Sequence, residues 1–150
     1  MYSPIHVTVA AIVERDSRYL LVEERIDGRL VLNQPAGHVE HGESLLDAVV
    51  RETAEETGHK FEPEGFLGVY RWQAPGGETF IRFAFIGDIS RPTGGQLDPV
   101  IERVLWLSSA EIAVEATRLR SPLVLAVIAD HQRGNAYPLD CLKDLNSATL

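Results

Sequence analysis

Between Ser44 and Gly58 the chain carries a segment whose ends and faces are both set by its residues, and no other stretch constrains the fold as much. Ser44, with Asp47 three residues on, fits a helix start of the capping-box kind with Asp in place of Glu, and Gly58 fits the left-handed position that ends a helix. Between these caps Leu45, Leu46, Val49, Val50, Thr53 and Thr57 fall within about 140° of one another, while Asp47, Arg51, Glu52 and Glu55 lie opposite. One face must be buried, and a β-sheet is the expected cover. The other face is the informative one. At about 3.6 residues per turn, Glu52, Glu55 and Glu56 lie within about 100° of each other, Glu56 at the border of the two faces. Like charges so close repel unless something holds their oxygens. A hard divalent cation does this, since Mg²⁺ takes carboxylates, waters and phosphate oxygens as ligands. The competing reading is a solvated amphipathic face, the usual meaning of charges opposite an apolar stripe.

The flanking sequence supplies the sheet. Residues 6–13 and 19–24 are rich in Val, Ile and Leu and read as strands separated by a polar turn at 15–18. Asp27-Gly28 favours a two-residue turn, returning 29–33 as a short strand that delivers 34–37 into a loop before the helix. Residues 66–74 and 79–88 read as strands joined by Pro75-Gly76-Gly77, and 92–95 as a loop. A strand over 100–107 leads into a short helix capped by Ser108 and Glu111. Ser121, Pro122 and Gly134 bracket a last apolar helix of about three turns. Strands interspersed with helices predict an α/β sandwich.

A formal net charge of −8 argues against a grip on nucleic-acid backbone, which needs clustered Lys and Arg, so the expected partner is a small molecule and not a polymer. The longest apolar runs, 7–13 and 123–129, fall far short of the roughly 18 residues that span a bilayer. Cys141 is the lone cysteine and cannot form an internal disulfide, and no signal-peptide pattern opens the chain, so a reducing cytoplasm is the expected address. The length of 150 residues fits a single domain over 1–150, with the last ten residues as a loosely packed tail. A monomer is the expected state and a homodimer the alternative.

The order Gly37, five residues, Glu43, seven residues, then Arg51-Glu52-Thr53-Ala54-Glu55-Glu56-Thr57-Gly58-His59 resembles the Nudix box, G-x5-E-x7-R-E-U-x-E-E-x-G-U with U a bulky apolar residue. All seven fixed positions are present; Thr53 and His59 depart from the two U positions. The resemblance implies a mixed sheet between helices in an α/β/α sandwich, and hydrolysis of a phosphoanhydride bond with Mg²⁺, or Mn²⁺, as cofactor. It implies that the Gly37 carbonyl is a metal ligand and that Glu43 and Arg51 support the site. Glu52 and Glu56, four residues apart, are the first-choice metal ligands, with Glu55 third. Glu52 or Glu55 is the expected base, with Asp98 and Glu102 as alternatives.

Outside the box, residues 33–38, 119–124 and 137–139, with the opening 6–10 and the pair Glu23-Glu24, are similar to one branch of that family along nearly the whole chain. That similarity implies a phosphate-releasing enzyme acting on nucleoside di- and triphosphates, thiamine diphosphate and hydroxymethylpyrimidine diphosphate. Other specificities within the family are the alternative: ADP-ribose or ADP-sugar pyrophosphatase, or a hydrolase of oxidised nucleotides. A silent nucleotide sensor is expected to have lost a box carboxylate, and none is lost. Among other polar residues, Gln34 is a candidate substrate contact, His38, Arg29 and Arg82 are candidate phosphate contacts, and Tyr70 and Trp72 candidate stacking partners for a ring. Against each stands a plainer reading: surface arginines, core aromatics, and loop hydrogen bonding for His38 and His41, which lack a third soft ligand for zinc.

Overall fold

Two tight turns govern the sheet. Asp16 and Ser17 both adopt left-handed φ angles (51° and 61°), as a two-residue hairpin turn requires, and join β1 (Ile5–Arg15) to β2 (Arg18–Ile26). Asp27 and Gly28 repeat the device (φ 48° and 76°) and return the chain as β3 (Arg29–Asn33). The computed structural model carrying these elements describes residues 2–145.

The ladder between β1 and β2 is short, limited to the pairs Glu14–Tyr19 and Arg15–Arg18. Beyond those pairs the two strands part, and each anchors its own group. β1 pairs antiparallel with β4 (Ala36–His38) and parallel with β6 (Thr79–Pro92), which pairs antiparallel with β5 (His59–Gln73). β2 pairs antiparallel with β3 and with β7 (Ile101–Ser108). The mixed sheet is therefore split into two groups joined at one hairpin, with a cleft where the strands diverge.

Helices cover both faces, completing an α/β/α sandwich. Alternation along β1 sends Val9, Ala11 and Val13 to one side, where Ala48 and Val49 of α1 (Leu45–Thr57) meet Phe61 and Phe85. Ile12 faces the other side with Leu21, Leu67 and Ala84, against Ile112 of α2 (Ser109–Val114) and Val124, Val127 and Ile128 of α3 (Leu123–Gln132).

Several boundaries differ from the sequence reading. β5 and β6 are longer than expected, and part of the 34–37 loop is strand, because Ala36–His38 pairs with β1. At α1 only half of the capping box forms: the Ser44 hydroxyl accepts from the Asp47 N–H at 3.0 Å, whereas Ser108 and Glu111 form both halves at α2. The Ser121 hydroxyl accepts from the Leu123 N–H, and Gly134 ends the α3 segment with a left-handed φ of 79°. Of the expected tail over 141–150, Leu142 packs against the core and residues 146–150 lie outside the described residues.

Candidate active site

Arg51 organises the start of the site. Its Nε and Nη2 donate to the two oxygens of Glu43 at 2.6 and 2.9 Å, a planar fork on a carboxylate. Nη2 also donates to the His38 carbonyl, and Nη1 to Glu52 at 2.9 Å and Glu55 at 3.1 Å. Glu43 in turn accepts from the Glu40 N–H, so one arginine ties the loop to the helix, and its hydrogen bonds hold the Glu43 carboxyl below the usual range. Thr53, one of the two departures from an apolar residue, is fully buried and its hydroxyl donates to the Val49 carbonyl, so its polar atom costs the packing little.

Glu56 points inward. It is 3% exposed, and its carboxylate accepts from the Ala36 N–H at 2.7 Å. Beside it stands Glu24 of β2, also buried and close enough for each carboxyl to act on the other's charge. Burial first, and the Glu24 charge second, push the Glu56 carboxyl up to about 10. Burial likewise raises Glu24 and Glu52. Two carboxyls in such contact share a proton unless a cation takes its place.

Gly37 lies against the third carboxyl. A Cβ on it would sit 2.1 Å from Glu52 Cδ and 2.3 Å from either oxygen. Its backbone is extended within β4, so the demand on this glycine is the close approach of Glu52 and not a sharp turn.

The donor set suits a hard cation: Glu24 and Glu56 are buried with no ion pair among the described residues, and a strand stripped of its side chain lies beside Glu52. Among the described residues no three His, Cys, Asp or Glu side chains stand together as a finished ligand shell. Arg51 engages Glu52 and Glu55, and Ala36 engages Glu56. Mg²⁺ keeps several waters and substrate oxygens and needs only one or two protein carboxylates.

These groups border a cavity of about 760 Å³ in the cleft between the two halves of the sheet. Glu24, Arg29 and Asn33 come from β2 and β3, and Thr8, Gly37, Trp72, Phe80 and Arg82 from the other half. Of the residues singled out from sequence, Glu52, Glu56, Gly37, Asp98, His38, Arg29, Trp72 and Arg82 are brought together there. His38 touches His6 at 2.9 Å, while His41 is exposed, so the two histidines do not form a metal pair.

Other candidates lie elsewhere. The Glu55 carboxylate is exposed on the Arg51 side. Glu102 pairs with Arg25 at 2.6 Å and is not on the cavity wall. Tyr70 lies toward α3, its hydroxyl donating to Asp130 at 2.7 Å, and is unavailable for stacking in the cavity. Gln34 is a buried strut off the cavity wall: its Nε2 donates to the Val124 carbonyl and its Oε1 accepts from Arg82. Among the lining residues to which the sequence reading gave no role at the site are Glu24 and Arg120. Strand parity was the available signal for Glu24, since it follows Leu20 and Val22 on the side that faces α1; Arg120 carries no local signal.

A cleft of this kind, with an acidic helix on one wall and arginines on the others, defines a hydrolase of phosphorylated small molecules. Residues 4–126 match the NUDIX domain, and the chain belongs to the Nudix family, whose members act on diphosphate bonds and generally use divalent metals. It is 42% identical over 148 residues to Phosphatase NudJ of Escherichia coli K12, covering 97% of this chain and 95% of that one, and equally to Phosphatase NudJ of Shigella flexneri. The solved NUDIX hydrolase from Nitrosomonas europaea superposes with a TM-score of 0.91 at 44% identity, over 97% of this chain and 99% of that one. Among the described residues no helix is long and apolar enough to cross a membrane.

Proposed function

We propose that this chain is a Mg²⁺-dependent pyrophosphohydrolase that releases inorganic phosphate from nucleoside di- and triphosphates, thiamine diphosphate and hydroxymethylpyrimidine diphosphate. The observation that carries the reading is the juxtaposition of Glu52, Glu56 and Gly37 on one cavity wall. The similarity to a phosphatase along 97% of the chain supports the phosphate-releasing version.

Glu52, Glu56 and the Gly37 carbonyl hold the cation, Mg²⁺ or Mn²⁺, with Glu55 as a third carboxylate; Arg51 takes one oxygen each of Glu52 and Glu55 and leaves the other free. When bound, the cation lowers the pKa of water, neutralises phosphate charge and aligns attacking and leaving oxygens. Arg51 and Glu43 keep the helix and its loop in register. Glu52 takes the proton from the attacking water, with Asp98 as the alternative on the cavity wall. His38 and Arg29 contact phosphate oxygens, and Trp72 stacks on the substrate's ring. Residues 1–150 act as one domain, a monomer in the reducing cytoplasm.

The test is a panel with Mg²⁺ comprising thiamine diphosphate, hydroxymethylpyrimidine diphosphate, GTP, GDP and ADP-ribose, with phosphate and diphosphate quantified separately. Phosphate from the first four is the expected result. Diphosphate from GTP, or AMP from ADP-ribose at a higher kcat/KM, overturns the specificity; tight nucleotide binding without turnover overturns the enzyme.

A further inference from the structure

Arg82 is 4% exposed and lies on β6 at the cavity floor, opposite Thr8 of β1 and Tyr70 of β5. Its Nη1 donates to Gln34 Oε1 at 2.8 Å and its Nη2 to Asn33 Oδ1 at 3.1 Å. Both acceptors are neutral amides. Gln34 is itself fixed by the Val124 carbonyl, so the guanidinium sits in a rigid cradle anchored to α3. The third nitrogen, Nε, is buried and has no hydrogen-bond partner.

A buried guanidinium usually has a carboxylate fork as its counterpart, because two neutral amides leave its charge uncompensated. Elsewhere even partly exposed guanidinium groups have a carboxylate partner: Arg51 is paired with Glu43, Arg103 and Arg118 with Glu23, and Arg15 with Asp88. No carboxylate lies within ion-pair distance of Arg82 among the described residues, although Glu24 and Glu56 are near enough to be felt electrostatically. Cation binding at Glu56 would cancel even that compensation. The cradle thus holds a positive charge and an unpartnered, buried donor beside the cavity, suited to an anion that arrives with the cation.

We propose that the missing partner is a phosphoryl group of the substrate: Arg82 is a substrate-binding residue whose Nε donates to a non-bridging oxygen of the diphosphate while Asn33 and Gln34 hold its two Nη atoms. The position fits. Phe80, two residues along the same face of β6, stacks with Trp72 at 5.5 Å, so Arg82 lies between the carboxylates and the aromatic end of the cavity. A purely structural tie between β6 and β3 would account for the two Nη contacts and leave Nε without a role. The inference rests on the cavity being the diphosphate site.

Binding of α,β-methylene-ADP, which is not cleaved at its methylene bridge, and of inorganic phosphate is measured by calorimetry in Mg²⁺ for wild type, Arg82→Lys and Arg82→Met. Losing one charge-assisted hydrogen bond to phosphate weakens binding of the analogue by about ten- to a hundredfold in Arg82→Met. Arg82→Lys, which keeps charge but not the planar fork, falls between the two. Unchanged affinity in a folded Arg82→Met protein overturns the proposal. The wild-type protein provides a second readout independent of the variants' folding: the Nε–Hε resonance of Arg82 shifts when the analogue saturates the site, and an unmoved resonance overturns the proposal. Turnover of GDP alongside an unmoved resonance sinks this inference alone, whereas failure of the wild type to bind the analogue or hydrolyse any diphosphate sinks the site assignment with it.

Discussion

Gly37→Ala is the substitution that separates chemistry from folding most cleanly. Its Cβ would stand 2.1 Å from Glu52 Cδ, so the carboxyl must move from there to the 3.4 Å of ordinary contact, a retreat of about 1.3 Å. The clash is with the end of a flexible side chain, so the fold can absorb it. Losing the partly buried Arg51–Glu52 contact costs up to about 1 kcal/mol. An alanine in a strand recovers about 0.5 kcal/mol or more relative to glycine. The net change in stability is then within about 1 kcal/mol, or about 2–4 °C in Tm for a chain of this size. The rate responds differently, because displacing a catalytic group by about 1 Å costs about a hundredfold. Phosphate release and thermal unfolding on the same preparation measure both quantities. Glu52→Ala supplies the control: it removes the atoms that clash, so adding Gly37→Ala to it should change kcat by less than twofold. Wild-type kcat in Gly37→Ala, or a further hundredfold loss in the Glu52→Ala background, refutes the reasoning.

Glu56→Gln is expected to lower turnover by at least about a hundredfold and to abolish the Mg²⁺-dependent rise in stability, which for the wild type is about 2.7 kcal/mol at a hundred times the dissociation constant. Because folding raises the Glu56 pKa from 4.5 to about 10, the folded state retains a proton that the unfolded chain releases. Metal-free wild type should therefore lose stability as pH rises across that window, and Glu56→Gln should lose less; denaturant melts in EDTA at several pH values decide it. Trp72→Ala should weaken α,β-methylene-ADP by about five- to a hundredfold, the range of one base–aromatic stack, while leaving methylenediphosphonate unchanged by calorimetry. The Arg103 hydrogen bond first, with Arg118, holds the Glu23 carboxyl below its ordinary range against the effect of burial. Its stabilisation is present above pH 4.5 and lost as pH falls through the folded value, so Glu23→Gln should cost about 1–3 kcal/mol at pH 7 and converge on wild type in acid melts.

Much of this architecture is local and was therefore legible. The caps of α1, the Asp27-Gly28 turn and the alternation along β1 depend on residues within a few positions of one another. The pairing of Ala36–His38 with β1 depends on residues some thirty positions away, and no propensity at Gly37 announces it. Parity alone does not separate Tyr70 from Trp72, which share a strand face; α3 and Asp130 cover the first and leave the second on the cavity. Glu23 and Glu24 look alike in sequence, yet both are buried on different errands, one to Arg103 and Arg118 and the other to Glu56, across a bulge in the β2–β7 ladder. Gln34 reads as a substrate contact from its place just before the box glycine, and becomes a strut only once α3 docks over it.

The short β1–β2 ladder links fold to function. Two paired positions hold the halves of the sheet together, and the strands diverge from there into the cleft. On either face a core closes without help from the cleft: Ala48 and Val49 over Val9 and Phe85, Val124 and Val127 over Ile12 and Ala84. Stability thus resides in layers that the cavity side chains do not complete. The cleft can carry buried charge that a core of this size would not tolerate at its centre, where an unpaired ion costs several kcal/mol (about 3–5 when a partner is lost). Substitutions at Glu24, Glu56 and Arg82 should accordingly be read out in binding and turnover more than in unfolding. Val49→Ala and Val127→Ala, each about 2 kcal/mol by lost burial and residual cavity, should do the reverse. Equal effects of both sets on unfolding would mean that the cleft is part of the core after all.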